Sequence, residues 1–355
     1  MANTAKKILK VMLIFLAIAI TIAALFILWL TVTEYQPADL ETAEIRGTAS
    51  GKMVTLGEEI GIISWNIGYG AMDKDFDFVL DGGGNTPQAD KEKVMANLNE
   101  IASTLGAEND VHLYMLQEVD TDSARSYSID QRGYLGLTQD VHALNYSCKF
   151  VPFPWPPFGK VNSGLFTATD YDIESADRIS LPCPFSWPLR TANLKRCLLA
   201  SYLPVEGSDK KLVIVNLNLE AYDDGEGKIA QTNKLKSFIQ SEYEKGNYII
   251  AGGDFNQYFP GTLDVYPNTH ADIWVTGTLN EDSIPKGFSF VYDALVPSCR
   301  LLNQPYDPAD TENTQYYLID GFIISPNVQL VSVNTLDKGF ENTDHNPVKL
   351  VFSLQ

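Results

Sequence analysis

Residues 251–257 read AGGDFNQ and directly follow the apolar residues 248–250. Two adjacent glycines allow the backbone to bend sharply or to be approached closely by a neighbouring segment. Asp254 and Asn256 are two residues apart, so in an extended stretch both side chains point the same way. A strand that ends in Gly-Gly and presents a carboxylate beside a carboxamide predicts a site for a polar ligand.

Polar side chains also stand at the ends of other apolar runs. They are Asn66 in ISWNIGYG, Glu118 in YMLQEVD, Asn218 in IVNLNLEAYD, Asp320 in YYLIDGF, and Asp344 with His345 in NTDHNPV. Loops at strand ends are where binding and catalytic side chains are most often placed. Taken singly, each of these residues equally fits a turn, a helix cap or a solvated surface position. Their recurrence indicates one shared site.

The chemical composition of this set indicates a hard cation. It contains carboxylates, carboxamides and one histidine, and it contains no cysteine. Oxygen ligands of this kind suit Mg²⁺, with Mn²⁺ or Ca²⁺ as alternatives, and they disfavour zinc. A divalent ion beside a carboxylate or histidine that prepares a water is suited to displacement at phosphorus. The set therefore predicts a metal-dependent phosphoester hydrolase.

The same motifs, in this order, resemble the endonuclease/exonuclease/phosphatase superfamily. It includes DNase-I-like nucleases, AP endonucleases, neutral sphingomyelinases and inositol polyphosphate 5-phosphatases. The matching motifs are WNI (65–67), LQEV (116–119), NLNL (216–219), GGDFN (252–256), IDG (319–321) and DHNPV (344–348). The resemblance covers about residues 58–355, and GGDFN with a distant DHxPV is specific. It implies a mixed two-sheet α/β sandwich flanked by helices, here in a membrane-anchored member of bacterial type.

The resemblance implies a role for each matched residue. Glu118 would be the principal metal ligand, assisted by Asn66 and Asp344. Asp254 would orient or deprotonate the attacking water, and Asn256 would hydrogen-bond the scissile phosphate.

The remaining matched residues concern the phosphoryl group. His345, paired with the Asp320 carboxylate, would bind it in the transition state or act as a base, because the carboxylate favours the imidazolium. Asn218 stands where many members carry a histidine, although AP-endonuclease-type members also have asparagine there. A carboxamide can donate a hydrogen bond but cannot protonate a leaving group. A surface binding module with weak or no turnover is therefore the alternative from another class.

Two proline- and aromatic-rich segments and three cations are candidates for substrate contacts. VPFPWPPFGK (151–160) and LPCPFSWPLR (181–190) are either rigid loops packed on the body or a rim that meets an apolar substrate or the outer leaflet. Arg125, Lys160 and Arg196 lie near the motifs, and arginine is suited to bidentate phosphate contacts. Arg196 is the strongest candidate of the three because it enters an apolar strand.

The N-terminal part of the chain predicts a membrane anchor. Residues 11–32 contain no charge, and at ~1.5 Å per residue they can cross a hydrocarbon core of ~30 Å. A cleaved signal peptide is the alternative, but its apolar region is normally ~7–15 residues and ends in an A-x-A-like site. Three lysines precede the run and acidic residues follow it, so the positive-inside rule places the following domain outside. The predicted order is a cytoplasmic N-terminus (1–10), a transmembrane anchor (11–32), a tether (33–57) and the catalytic domain (58–355).

The charge of the chain bears on its substrate. The formal net charge is −19, and the first ten residues contribute +3, which leaves −22 for residues 11–355. Such a surface repels polyanions, and the sequence has no basic cluster beyond its N-terminus. A lipid headgroup or a small phosphodiester is therefore favoured as substrate, with a nuclease of the same superfamily as the alternative. The four cysteines form no C-x-x-C pair, and either disulfides or free thiols fit them.

Periodicity gives a coarse map of the elements. Helical patterns cover Gln88 to about Leu105, with Pro87 in the first turn, and about 228–245. Apolar runs of strand length occur at 60–66, 111–116, 164–169, 197–203, 211–217, 248–252, 316–325, 328–333 and 347–353. Strands mixed with few helices favour a sandwich over a repeated βαβ fold.

Overall fold

The computed structural model describes residues 2–84, 89–223, 225–310 and 312–355. Helix α1, Ala2–Val32, forms the N-terminal part, and its stretch Thr4–Val32 is long and apolar enough to cross a membrane. Most of its side chains are exposed, whereas Phe26 is half-buried and Leu30 is buried against the rest of the protein.

Within the described residues, two seven-stranded mixed sheets form a sandwich. The first sheet contains, in spatial order, β1 (Leu40–Thr42), β7 (Ser175–Ser180), β8 (Cys197–Pro204), β9 (Lys211–Asn218), β10 (Tyr248–Asp254), β16 (Asp320–Ile324) and β13 (Ser289–Val291). The second contains β17 (Val328–Thr335), β18 (Val348–Leu354), β3 (Ile60–Asn66), β4 (Val111–Asp120), β6 (Gly159–Thr169), β5 (Gln139–Val151) and β2 (Ile45–Gly47). The fold class expected from the sequence is confirmed.

Two helices cover the outer faces of the sandwich. Helix α2 (Lys91–Gly106) packs on the second sheet and helix α3 (Glu226–Glu244) on the first. The short pairs are β11 (Gln257–Tyr258) with β12 (Gly277–Thr278), and β14 (Cys299–Arg300) with β15 (Tyr316–Tyr317). Short 3₁₀ turns occupy Gly68–Gly70, Val79–Asp81, Ala124–Ser126, Gln131–Tyr134, Leu189–Ala192, Thr262–Asp264 and Glu281–Ser283.

The core lies between the sheets and has one polar connection near the strand ends. Strands β9 and β10 are buried along almost their whole length, which explains why their sequences are continuous apolar runs. Buried Asn216 of β9 donates from Nδ2 to the carbonyl oxygens of Leu116 (3.1 Å) and Phe166 (3.0 Å) in the other sheet. Gln117 Nε2 donates back to Asn216 Oδ1 at 2.8 Å. Because buried polar groups need partners, these bonds fix how the sheets meet beside the loops.

Several element boundaries differ from the sequence map. Helix α2 begins after Asp90, whose side chain accepts a hydrogen bond from the Lys93 backbone N–H at 2.8 Å. The predicted start at Gln88, with Pro87 in the first turn, lies outside the described residues. The apolar run 316–325 divides into β15 and β16. Strands β5 and β7 were not predicted, because polar residues interrupt the apolar pattern of both.

The prediction of a tether for residues 33–57 needs correction. β1 pairs with β7 through Leu40 and Ile179, and β2 pairs with β5 through Ile45 and Val141. Each added strand has three residues, which is too short for an alternating pattern to be recognised in the sequence. This segment therefore contributes one edge strand to each sheet and is not a flexible linker.

Candidate active site

The strand register brings the predicted polar residues to one edge of the sandwich. Asp254 at the end of β10 is level with Asn218 on β9 and with Asp320 on β16. On the second sheet, Asn66 at the end of β3 is level with Gln117 on β4, one residue before Glu118. This edge faces a cavity of about 510 Å³, and Asp320 and Gln117 are absent from its lining. The lining includes Asn66, Glu118, Arg125, Arg196, Asn218, Asp254, Asn256, Asp344 and His345.

The Gly-Gly pair of AGGDFNQ is required by close packing. A side chain at Gly252 would overlap the ring of Phe322, and one at Gly253 would overlap a carbonyl oxygen of β9. Asn256 adopts φ 51°, a left-handed conformation that asparagine tolerates better than most residues. Its backbone N–H donates to Asp254 Oδ1 at 2.9 Å and its Nδ2 to Asp254 Oδ2 at 3.2 Å. A tight turn, not an extended strand, therefore brings both side chains to the cavity.

A β-bulge turns Glu118 toward the cavity. The register between β4 and β6 shifts between Leu116 and Val119, so β4 carries one extra residue there. Glu118 has φ 57°, which is uncommon for a residue with a long side chain. Its Oε1 accepts a hydrogen bond from Asn66 Nδ2 at 3.2 Å. Such strained positions concentrate at functional sites.

His345 and Asp320 form a buried ion pair, as the sequence predicted. The imidazole Nδ1 lies 2.8 Å from Asp320 Oδ2, and both side chains are buried. Trp65 fixes the loop by donating from Nε1 to the His345 carbonyl oxygen at 2.8 Å. Burial opposes a charged imidazole, but the Asp320 carboxylate, together with Cys299 and Asp344, raises the pKa of His345 well above its usual range. This favours the imidazolium form, whose Nε2 lies 3.9 Å from Asp344 Oδ2.

Asp254 stands beside this pair in a different electrostatic state. Burial, together with the nearby Asp320 carboxylate, raises the pKa of Asp254 to about 7. One ligand atom each of Asp254, Asp320 and His345 lies within 4.8 Å of the other two. A carboxylate with a pKa near neutrality is suited to accept a proton at physiological pH.

The neighbouring carboxylates offer oxygen ligands for a cation. Burial raises the pKa of Asp344, and the negative charge of Glu118 adds to this effect. A divalent cation between these carboxylates would relieve that cost, so the donor set fits a hard metal ion. Asn66 is oriented differently from the expectation, since its Oδ1 accepts from the Gly68 N–H (3.1 Å) and its Nδ2 bridges Glu118 and Asp254. It would have to turn its amide to serve as a ligand.

A second group near the cavity includes a thiol. Cys299 lies with Asp344 and His345, their ligand atoms within 4.8 Å of one another. Burial raises the pKa of Cys299 to about 12, so the thiol is neutral and a poor thiolate ligand. Cys148, Cys183 and Cys197 are also free, and within the described residues no disulfide forms.

Comparison with solved structures agrees with this arrangement. The chain resembles an endonuclease/exonuclease/phosphatase from Beutenbergia cavernae, with a TM-score of 0.53 and 16% identity over 83% of this chain and 72% of that chain. It resembles an endonuclease/exonuclease/phosphatase from Bacteroides vulgatus with a TM-score of 0.53 and 13% identity, over 84% and 100% of the two chains. The chain has the endonuclease/exonuclease/phosphatase fold.

One further structure resembles the chain, whereas sequence comparisons give no match. Truncated TDP2 from Caenorhabditis elegans has a TM-score of 0.50 and 15% identity, over 84% of this chain and 99% of that chain. No family model matches the sequence, and no curated protein matches it. The identities are low, so the site of this endonuclease/exonuclease/phosphatase fold has to be judged from its own residues.

Arg196 holds Asn218 in place. Its Nη1 donates to Asn218 Oδ1 at 2.5 Å and to the Asn218 carbonyl oxygen at 3.0 Å, and its Nε lies 3.3 Å from Glu220 Oε2. Asn256 Nδ2 also donates to Asn218 Oδ1, at 3.2 Å. With its oxygen held by two donors, Asn218 can present its N–H groups to the cavity. Glu220 was missed, although it is two residues from Asn218 and an alternating pattern places both on one face.

Of the other two predicted cations, one lines the cavity and one does not. Arg125 forms two hydrogen bonds to Asp120 (3.1 and 2.9 Å), and its guanidinium lies 3.7 Å from the ring centre of Tyr69. Its charge is therefore largely compensated by Asp120, which the sequence analysis missed. Lys160 is half-exposed, pairs with Asp122 and is absent from the cavity lining. The prediction that Lys160 binds substrate is corrected, because the neighbouring aspartate draws it away.

Asp81 and Tyr222 form a further polar pair at the cavity wall that the sequence analysis missed. The Tyr222 hydroxyl donates to Asp81 Oδ1 at 2.9 Å. Burial raises the pKa of Asp81 to about 6. They come from loops 141 residues apart, and no local pattern in the sequence connects them.

These contacts predict different kinetic effects for alanine substitutions at Arg196 and at Lys160. Arg196→Ala is expected to lower kcat/KM for a phosphodiester by about 10²-fold, since Asn218 loses its main partner and the buried Glu220 carboxylate loses its cation. Lys160→Ala is expected to stay within about twofold of the wild type, because an exposed pair contributes little. Steady-state kinetics on both variants checks this, and a large loss in Lys160→Ala would contradict the cavity boundary.

Proposed function

We propose that this protein is a divalent-metal-dependent phosphoester hydrolase, with phosphodiesters as the favoured substrates. The observation that carries the proposal is the meeting of two groups of side chains at one cavity. The His345–Asp320 ion pair and Asp254 form the first side, and the carboxylates of Glu118 and Asp344 adjoin it, with Asp344 Oδ2 3.9 Å from His345 Nε2. The likeness to endonuclease/exonuclease/phosphatase structures supports phosphoester hydrolysis as the reaction class.

The residues on the first side would handle the water and the phosphoryl group. Asp254 would accept a proton from the attacking water, since its raised pKa matches neutral conditions. His345 would donate a charge-assisted hydrogen bond from Nε2 to a phosphoryl oxygen as negative charge develops. Asn218 would donate a neutral hydrogen bond beside it. Because Asn218 cannot protonate a leaving group, a good leaving group is expected to be hydrolysed faster than a poor one.

Asn256 is assigned a different task from the one implied by the resemblance. Its Nδ2 already donates to the Leu219 carbonyl oxygen at 2.8 Å, in addition to Asp254 and Asn218. It therefore acts as a positioning residue that holds the Asp254 carboxylate, and the phosphate contact falls to His345 and Asn218.

A metal ion would complete the adjoining carboxylate group. Glu118 and Asp344 would hold it, with Asn66 as a third ligand after its amide turns, and Mg²⁺ is preferred over Mn²⁺ or Ca²⁺. When bound, the cation supplies charge neutralisation for the phosphoryl oxygens. The chain's own contribution is the strained bulge that turns the Glu118 carboxylate into the cavity.

The proposed location follows from the N-terminal helix and its flanking charges. The segment 1–10 would lie in the cytoplasm, residues 11–32 would span the membrane, and the domain would lie outside. The domain boundary is placed before Leu40, because β1 and β2 belong to the sandwich. A lipid headgroup or a small phosphodiester is favoured over nucleic acid by the −22 charge of residues 11–355.

A substrate panel tests the proposal. The full chain in nanodiscs would be assayed on plasmid DNA, sphingomyelin, phosphoinositides and bis(p-nitrophenyl) phosphate, with Mg²⁺, Mn²⁺, Ca²⁺ or EDTA. Turnover that EDTA abolishes supports the hydrolase, and the substrate class hydrolysed fastest names it. Salt-sensitive cleavage of DNA alone would instead support a nuclease. Metal binding with no turnover of any substrate would overturn the enzyme and favour the binding module.

Metal binding has its own measurement, independent of turnover. At a Mg²⁺ concentration of about 100 times its Kd, the wild type is expected to gain about 2.7 kcal/mol of stability against unfolding. Glu118→Gln is expected to lose most of this gain, since the principal carboxylate is removed. Thermal unfolding with and without Mg²⁺ reads it out, with Glu100→Gln on the exposed face of α2 as the matched control. A full Mg²⁺-induced shift in Glu118→Gln would contradict the assigned ligand.

A further inference from the structure

The end of helix α1 is fixed to the domain by specific contacts. Trp187 Nε1 donates to Thr31 Oγ1 at 3.0 Å. The Glu34 carboxylate is buried and lies 3.3 Å from Arg190 Nε and 3.1 Å from Lys195 Nζ. A buried acid with two cationic partners is a costly arrangement to break. The domain therefore has a defined orientation relative to the helix.

The position of these contacts along the helix sets the depth of the domain. The rings of Phe26 and Phe150 lie 6.0 Å apart, edge to face. Phe26 is six residues before the end of α1, about 9 Å along its axis. The uncharged stretch 11–32 is about 33 Å long, slightly more than a hydrocarbon core. Phe26, with Phe150 beside it, therefore lies about 9 Å inside the outer end of this stretch, on the acyl-chain side of the headgroups.

The two proline- and aromatic-rich segments present apolar side chains beside this contact. Trp155 is 79% exposed, Leu189 68%, Trp187 55% and Phe153 48%. Tryptophan is enriched at membrane interfaces, where its ring sits among the headgroups. Four large exposed apolar side chains next to a membrane-spanning helix thus have a physical partner, the bilayer surface.

A continuous apolar cluster links the helix to the catalytic cavity. Phe26 and Leu30 pack in the same cluster as Val151, Phe158 and Phe78. The last three of these also line the cavity, together with Phe153 and Leu189 from the two segments. The Phe78 and Phe158 rings are stacked, with centres 6.2 Å apart. The cavity is thus apolar toward the membrane side and polar at the Asp254–His345 end.

We infer that the cavity opens onto the bilayer and takes its substrate from it. The substrate would be an amphiphilic lipid phosphodiester. Its phosphate would reach the polar end of the cavity, and an acyl chain would lie along the apolar wall formed by Phe78, Val151, Phe153, Phe158 and Leu189. This inference rests on the proposed hydrolase function. The inference adds three points to the hydrolase function: the route of substrate entry, the class of substrate and the face of the domain that meets the membrane.

The test compares membrane-resident and soluble substrates in the same preparation. The full chain in nanodiscs that contain phosphatidylglycerol or sphingomyelin is assayed on that lipid and on bis(p-nitrophenyl) phosphate. For Trp155→Ser/Trp187→Ser, the ratio of lipid rate to soluble rate is expected to fall about tenfold. Leu295→Ser is the control, since Leu295 is 84% exposed but lies outside the cavity lining. Its ratio should match the wild type.

The outcomes separate the two proposals. Turnover of the soluble diester with no lipid turnover, or an unchanged ratio in the double variant, would overturn the membrane route and leave the hydrolase standing. No turnover of either substrate would overturn both.

A second measurement does not depend on activity. With brominated phosphatidylcholine in the nanodisc, the quenched fraction of tryptophan fluorescence is expected to fall by about half in Trp155→Phe/Trp187→Phe. An unchanged quenched fraction would show that these side chains do not reach the bilayer, which would overturn the inference.

Discussion

Asp254→Asn is expected to lower kcat for phosphodiester hydrolysis by about 10³-fold while leaving the protein folded. The substitution keeps the shape of the side chain and the hydrogen bond that its Oδ1 accepts from the Asn256 backbone, but it replaces Oδ2, which accepts from Asn66 and Asn256, by an amide group. It removes the only property that the proposed chemistry needs, a carboxylate able to accept a proton at neutral pH. Steady-state kinetics on bis(p-nitrophenyl) phosphate with Mg²⁺ measures the loss.

The same substitution is expected to remove a pH dependence of stability. The pKa of Asp254 is higher in the folded protein than in the unfolded chain, so its contribution is favourable at low pH and is lost as pH rises through about 7. At pH 8 in EDTA the folded wild type holds a poorly solvated charge that asparagine lacks. The lost hydrogen bonds to Oδ2 cost the variant stability at every pH, so its stability relative to the wild type should be about 2–4 kcal/mol more favourable at pH 8 than at pH 4.

The matched control for Asp254→Asn is Asp209→Asn. The Asp209 side chain is 84% exposed beside Lys210, so both kcat and Tm should stay unchanged. Retained turnover in Asp254→Asn would contradict the base assignment. A stability difference between Asp254→Asn and the wild type that stays the same from pH 4 to pH 8 would contradict the electrostatic account of the site.

His345→Ala and Asp320→Asn are expected to behave as one unit. His345→Ala should cost about 10³-fold in kcat, because the charged donor to the phosphoryl group is removed. Asp320→Asn should cost about 10²-fold, because a neutral partner no longer stabilises the imidazolium 2.8 Å away. The double variant should be no slower than His345→Ala, since groups that act together give non-additive losses.

The readout for this pair is a double-mutant cycle on kcat, with His270→Ala as the histidine control outside the cavity lining. Breaking a buried ion pair costs about 3–5 kcal/mol, so each variant is assayed below its own unfolding temperature. Multiplicative losses in the double variant would contradict a coupled His345–Asp320 unit.

The sequence predicted the central architecture because those strands are buried on both faces. Apolar runs such as β9 and β10 were recognised for that reason. The apolar pattern of β5 is interrupted by buried polar residues such as Asp140 and Asn145, so this strand was missed. The three-residue strands β1 and β2 carry too few positions for any pattern.

The sequence indicated which residues meet at the candidate site better than it indicated their contacts. Motif order identified the residues that meet at the cavity, but the strand order that aligns Asp254 with Asn218 and Asp320 is a property of the whole sheet. The Nδ2 contacts of Asn256 and the turned amide of Asn66 depend on partners far along the chain. Lys160 was misassigned because proximity to a motif in sequence does not show where a flexible side chain finds its partner.

The edge strands β1 and β2 bear on how the chain acquires its fold. They precede every other strand of the sandwich along the chain, yet they pair with β7 and β5, which follow about a hundred residues or more later. The anchor would already be in the membrane before the partner strands β7 and β5 have been synthesised. Contacts between residues so distant in sequence form slowly. The sandwich is therefore expected to close last at the edges nearest the bilayer, so that a chain held at its N-terminal end completes its fold against the membrane surface.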